Sequence, residues 1–162
     1  MIKLTLVGAV LAAMVVAVII AAPGGGSQAE ANHWNFVANL SGDEEVPPVE
    51  TRGRGQAVIS LTNDGAALEF KLIVAQLDNI VAAHIHCAPA GVNGPVGVTL
   101  FLFSPTTTNG ILAHDTVTEP NAENGCGWSD LSAVAAAMSS GNTYVNVHTL
   151  ATLSGEVRGQ IR

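Results

Sequence analysis

Positive charge is scarce in this sequence. Six Lys and Arg stand against thirteen Asp and Glu, for a net charge of −7 at pH 7. That balance argues against a nucleic-acid partner, because gripping phosphates takes a basic face. An acidic surface instead keeps a protein soluble. Catalytic signatures are missing too. No Gly-x-Ser-x-Gly elbow occurs, and nothing resembles a phosphate-cradling loop, since Gly24-Gly25-Gly26 belongs to the N-terminal segment. There is no long internal repeat, and cysteine is limited to Cys87 and Cys126. The sequence therefore establishes no enzymatic activity, and a non-catalytic role is the default expectation.

The first thirty-odd residues carry a signal of their own. Lys3 supplies a positive charge, Leu4 to Ala22 form an uninterrupted apolar run, and Pro23-Gly24-Gly25-Gly26-Ser27 breaks it. Ala29-Glu30-Ala31 fits a small-x-small cleavage site, so residues 1–31 read as a secretory signal peptide. The run also approaches the ~20 residues that span a bilayer, so an uncleaved membrane anchor is the alternative. Either reading places residues 32–162 outside the cytoplasm, with membrane contact only through residues 4–22. No Cys follows the run, and a bacterial lipoprotein anchor is not indicated. Loss of residues 1–31 removes Lys3 and Glu30 together and leaves the net charge unchanged.

Beyond Ala31 the pattern is one of short strands and turns. Trp34 to Leu40, Gln56 to Leu61, Ala67 to Val74 and Ile80 to Cys87 alternate or carry β-branched residues, and Asn63-Asp64-Gly65 marks a hairpin. Val96 to Phe103 and Ile111 to Val117 follow, separated by a polar loop at Ser104 to Asn109. Leu131, Val134, Ala135 and Met138 have helical spacing, with Ser129 or Asp130 as cap and Gly141-Asn142 as the stop. Thr143 to His148 and Glu156 to Ile161 close the chain as strands. The expected fold is all-β, an antiparallel β-sandwich or barrel of Greek-key type with seven or eight strands and one short helix. Trp34 and Trp128 read as core or edge packing.

Two cysteines in a small exported domain most often pair. A Cys87–Cys126 bridge would stabilise the fold by about 4 kcal/mol on the chain-entropy model. A thiolate ligand or nucleophile is the alternative.

Several segments together resemble one family. Phe36-Val37-Ala38-Asn39-Leu40-Ser41-Gly42 with Glu45-Val46-Pro47-Pro48-Val49 is similar to the opening motif of CHRD (chordin-type) domains. Ala83-His84-Ile85-His86 with Gly91-Val92-Asn93-Gly94-Pro95-Val96 resembles the central motif. Tyr144-Val145-Asn146-Val147-His148-Thr149 and Gly155-Glu156-Val157-Arg158-Gly159-Gln160 resemble the closing one. The resemblance covers Phe36 to Ile161. It implies an extracytoplasmic binding or structural module with an unidentified protein or surface component as partner, and no general enzymatic activity. The family is named for chordin, an extracellular binder of bone morphogenetic proteins. This chain lacks chordin's cysteine-rich von Willebrand type C modules, so that role does not transfer. The resemblance puts a Gly or another small residue where Cys87 stands, which makes the disulfide a local addition.

The histidines carry the chemistry. Side chains alternate along a strand, so His84 and His86 share one face while Ala83, Ile85 and Cys87 take the other. Likewise Tyr144, Asn146 and His148 oppose Val145 and Val147. If the two strands are neighbours, His84, His86 and His148 converge into a three-His site for copper or zinc, with His114 as a fourth candidate ligand. Glu156 or Glu45 would then orient a ligand from outside. The His-x-His and Val-x-Val-His pattern is similar to the copper ligands of Cu/Zn superoxide dismutase, although the other ligands of that bridged site have no counterparts here. A purely structural reading stands beside this one, in which the histidines bond backbone carbonyls or pair with Glu156. Glu44 and Glu45 read as a solvated edge guarded by Pro47 and Pro48, and Arg158 as an ion-pair partner of Glu156. N-terminal sequencing of the exported protein should begin at Asn32; a form beginning at Met1 would identify the anchor.

Overall fold

The computed structural model describes residues 34–162, so the signal or anchor segment and its cleavage site lie outside the described residues. Apolar alternation builds the first strands as expected. In β1 (Asn35–Ser41), Phe36, Ala38 and Leu40 point inward, and in β2 (Arg54–Leu61) Ala57, Ile59 and Leu61 do the same. β3 (Leu68–Cys87), β4 (Val96–Val117), β5 (Thr143–Thr149) and β6 (Val157–Gln160) complete the sheet, and α1 (Leu131–Ser139) connects β4 to β5.

All pairings are antiparallel, in the order β2-β1-β6-β5-β3-β4, and an additional β2–β3 pairing closes the sheet into a barrel. Closure depends on β3. Its first half pairs with β2, from Leu68↔Leu61 to Ala75↔Arg54, and its second half with β5, from Ile80↔Thr149 to Cys87↔Thr143. β4 follows β3 along both halves. The change of partner falls at a bend where Gln76 and Asn79 have φ of 58° and 51°. At those two residues the backbone N–H groups donate to Asn109 Oδ1 (2.8 Å) and Thr107 Oγ1 (3.0 Å) of β4.

Here the structure differs from the sequence reading. The two expected pairs of short strands are two long bent ones, which makes six strands rather than seven or eight. The polar Ser104–Asn109 segment is part of β4, because its threonines are β-branched and two of its polar side chains satisfy the backbone where β3 turns. Pro105 is tolerated because β4, among the described residues, pairs only with β3, at a point where the ladder shifts register.

The core lies inside the barrel. Ala83 and Ile85 of β3, Val145 and Val147 of β5, and Val157 of β6 meet Leu131, Val134, Ala135 and Met138 of α1. The helix is capped as its sequence indicates, Asp130 Oδ1 accepting from the Ala133 N–H at 2.9 Å. Trp34 and Trp128 pack, partly buried, against this core. No helix among the described residues is long and apolar enough to cross a membrane.

Cys87, the last residue of β3, is disulfide-bonded to Cys126 across 39 residues, with the Cα atoms 5.8 Å apart. The bridge ties the Glu119–Trp128 loop to the end of the strand that carries His84 and His86. Replacing both cysteines by Ala should lower the unfolding free energy by about 4 kcal/mol. Urea unfolding under non-reducing conditions measures it, and an unchanged midpoint would show that this loop closure contributes nothing.

Candidate functional site

The β3–β5 ladder sets the site. Ala82 pairs with His148, His84 with Asn146, and His86 with Tyr144, while β6 adds Arg158 opposite Asn146 and Gln160 opposite Tyr144. Because Ala83, Ile85, Val145 and Val147 fill the core, these polar residues occupy the outer face of the barrel wall. One ligand atom from each of His84, His86 and His148 lies within 4.8 Å of the others. The ring centroids are 5.0 Å (His84–His148), 5.6 Å (His84–His86) and 5.8 Å (His86–His148) apart.

The hydrogen bonds fix the tautomers. A carbonyl oxygen only accepts, so the Nδ1–H of His86 donates to Gly94 O (3.0 Å) and that of His148 to Leu153 O (3.0 Å). In both neutral rings the lone pair is therefore on Nε2. The Nε2 of His86 is buried and has no hydrogen-bond partner, and that of His148 accepts from Nδ1 of His84 at 3.2 Å. Nitrogens sharing one tetrahedral or trigonal ion at ~2.0–2.1 Å would stand roughly 3.3–3.6 Å apart, close to that separation. Moving the proton of His84 to its Nε2 frees a third lone pair.

The outer face is roofed rather than solvated. Arg158, 1% exposed, lies 3.5 Å above the Tyr144 ring, whose other contact is a stacking on His86 at 4.8 Å and 9°. Its guanidinium donates to Pro89 O, Val92 O and Asn93 Oδ1, which holds the Pro89–Pro95 loop over the site. The hydroxyl of Tyr144 accepts from the N–H of Gly94 and donates to its carbonyl. Asn93 donates to Val46 O, and Asn146 donates to Glu45 Oε2 at 3.4 Å. Gly155 is required beside Asn146: its φ is +124°, and a Cβ there would sit 2.4 Å from the Asn146 amide.

The other sequence candidates are placed as follows. His114, opposite Lys71 on β4, is exposed and outside the cluster. Glu44 is exposed, but Glu45 is 6% exposed and not a solvated edge, because Asn146 and Arg158 draw it under the roof; Pro47 and Pro48 stand in the connection between β1 and β2. The carboxylate of Glu156 accepts from the hydroxyls of Thr51 (2.7 Å) and Thr149 (2.6 Å), so it pairs with neither a histidine nor Arg158. Arg158 finds carbonyl acceptors instead. Its role in the roof was missed by sequence reasoning, as were those of Tyr144 and Asn146. The last two share a strand face with His148, which was the available signal; nothing in the sequence locates the loop Arg158 holds.

Burial lowers the histidine pKa values. His84 is brought to about 4 by desolvation, reinforced by the charges of His148 and His86. His86 is also brought to about 4 by desolvation, which outweighs its bond to Gly94, and His148 is lowered for the same reason. All three are neutral at pH 7, poor acid–base catalysts but good ligands. Glu45 moves the other way, raised to about 7 by desolvation against the opposing effects of Arg158 and Asn146.

These shifts set a pH dependence. Between pH 6.5 and 4 the unfolded histidines bind protons that the folded ones refuse, so their stabilisation is lost as pH falls through that window. Between 4.5 and 7 the folded Glu45 keeps a proton that the unfolded one releases, so its contribution falls as pH rises. The histidines outnumber the carboxyl, and the melting temperature of metal-free protein should drop on acidification from pH 6.5 to 4.5. Glu45→Gln removes the opposing slope and should steepen that drop. A thermal melt series checks both, and equal slopes would refute the assignment to Glu45.

No curated protein and no solved structure matches the chain significantly. A family model does: the CHRD domain, over residues 36–161. Its span takes in the opening strand, the His84–His86 strand, the roof loop and the closing strands of the site just described. Family and disulfide are consistent with an extracytoplasmic location, and the family supports a binding or structural module. The chain belongs to the CHRD domain family.

Proposed function

We propose that this chain is an exported module that binds a transition-metal ion, copper or zinc, through His84, His86 and His148. One observation carries the reading: three imidazoles from two neighbouring strands bring a ligand atom each within 4.8 Å of one another. The tautomers support it. Backbone carbonyls hold the protons of His86 and His148 on Nδ1, which leaves the lone pair of each on Nε2 and supplies the outer hydrogen-bond partners that ligand histidines ordinarily need. The buried, unpartnered Nε2 of His86 supports it further, because an unsatisfied buried acceptor costs about 1–3 kcal/mol and an ion would remove that penalty. Neutral imidazole suits both metals. The module's partner would be an extracytoplasmic protein or surface component, and the activity is binding rather than catalysis.

A second reading has its own support. The same hydrogen bonds tie the Pro89–Pro95 loop and the Leu150–Glu156 turn to the sheet without any ion, as a packing network would.

Elemental analysis separates the two. Untagged protein, reconstituted and desalted, should hold about one copper or zinc per chain, the stoichiometry of a single site. His84→Ala with His86→Ala should abolish it while the circular dichroism spectrum is retained. Below roughly a tenth of one-site occupancy in the wild type, the metal reading fails. Collapse of the double variant in the absence of metal would favour the packing network.

A further inference from the structure

We propose that this domain forms a two-fold homodimer by antiparallel pairing of β4 with β4 of a second copy. β4 pairs with β3 alone, so its other edge has no strand partner among the described residues. Near its start that edge is covered: the Asn121 N–H donates to Gly97 O, and Asn121 Oδ1 accepts from the Thr99 N–H. The loop that does this is anchored by the disulfide at Cys126. Past Leu100 the cover ends, and there the surface turns apolar. Leu102, Phe103 and Ile111 are 64%, 77% and 57% exposed, a concentration of large apolar side chains on one strand. Phe101, Phe103, Ile111 and Leu112 line a groove of about 410 Å³ beside it.

Three features specify a second copy of the chain as the occupant. An open strand edge offers alternating N–H and C=O groups that only another extended backbone satisfies, and an antiparallel edge is its own complement under a two-fold axis. The usual defence against such pairing is charge on the edge, and no Asp, Glu, Lys or Arg occurs between Asp78 and Asp115; within β4 the interruptions are Pro105 and the register shifts against β3. In a chain of net charge −7, two copies repel over most of their surfaces, and this neutral strip lets them meet. Phe103 of one copy would then cover the groove of the other.

Sedimentation equilibrium of the full chain in mild detergent tests the pairing, with amide exchange as the local readout. The wild type should show a monomer–dimer equilibrium, with protection of residues 101–111 that increases with concentration. Phe103→Glu puts a carboxylate into the partner's apolar groove and should raise the dissociation constant by about tenfold or more. Leu150→Glu, at an exposed apolar residue on the β5–β6 turn, should leave it unchanged, and at concentrations where the wild type is monomeric both variants should melt as it does, because neither side chain reaches the core. A monomer at every concentration overturns the proposal, as does association that Phe103→Glu leaves intact. So does protection of residues 101–111 that is independent of concentration and vanishes when residues 1–31 are removed, since the edge would then be held by the chain's own apolar segment.

Discussion

Pairing of β3 with β5 is the constraint on which the rest depends. It closes the barrel, because β3 can leave β2 and reach β5 only by bending at Gln76 and Asn79. It also sets one register, Ala82↔His148 and His84↔Asn146, that brings histidines 64 residues apart in sequence into hydrogen-bond contact. A slip of one residue would turn Val145 and Val147 outward and bury Asn146 and His148 among aliphatic side chains. The core and the site are therefore specified by the same ladder.

β5 is buried along its whole length, although only one of its faces looks into the core. The second face is covered by loops, and that cover has an electrostatic consequence. It removes water from three imidazoles, a carboxyl and a guanidinium at once, which lowers the histidine pKa values and raises that of Glu45. Arg158 remains satisfied because the loop presents carbonyl oxygens and Asn93 Oδ1 to it, and because Tyr144 offers its ring face. The buried cation in turn holds the loop whose Gly94 carbonyl sets the tautomer of His86. Disulfide, roof and the strand of His84 and His86 thus form one mechanical unit, with Cys87 next to His86 in the chain.

Much of this was legible before the structure. Period-2 alternation locates β1, β2, β5 and β6, helical spacing and Asp130 locate α1, and the faces of His84, His86 and His148 follow from parity alone. What parity cannot say is where a strand bends. Ser104–Asn109 read as a loop because its residues are polar, yet Thr107 and Asn109 serve the backbone of β3 across the ladder. Glu45 read as exposed because adjacent acidic residues beside prolines ordinarily are; its burial follows from contacts with Asn146 and Arg158, more than a hundred residues away. Arg158 was assigned to the nearest acid, Glu156, whereas geometry gives that acid to two threonines.

By itself, then, the sequence determined the all-β class, the helix and the family, because each rests on local periodicity or on contiguous motifs, whereas the expected pairing of the two cysteines awaited the structure. Tertiary structure decided that the sheet closes, that three imidazoles meet, which nitrogen of His86 and His148 keeps its proton, and which charges lie buried. Those outcomes depend on non-local register and on desolvation by distant loops. Neither is written in any one stretch of chain, since both arise only when separate segments pack together.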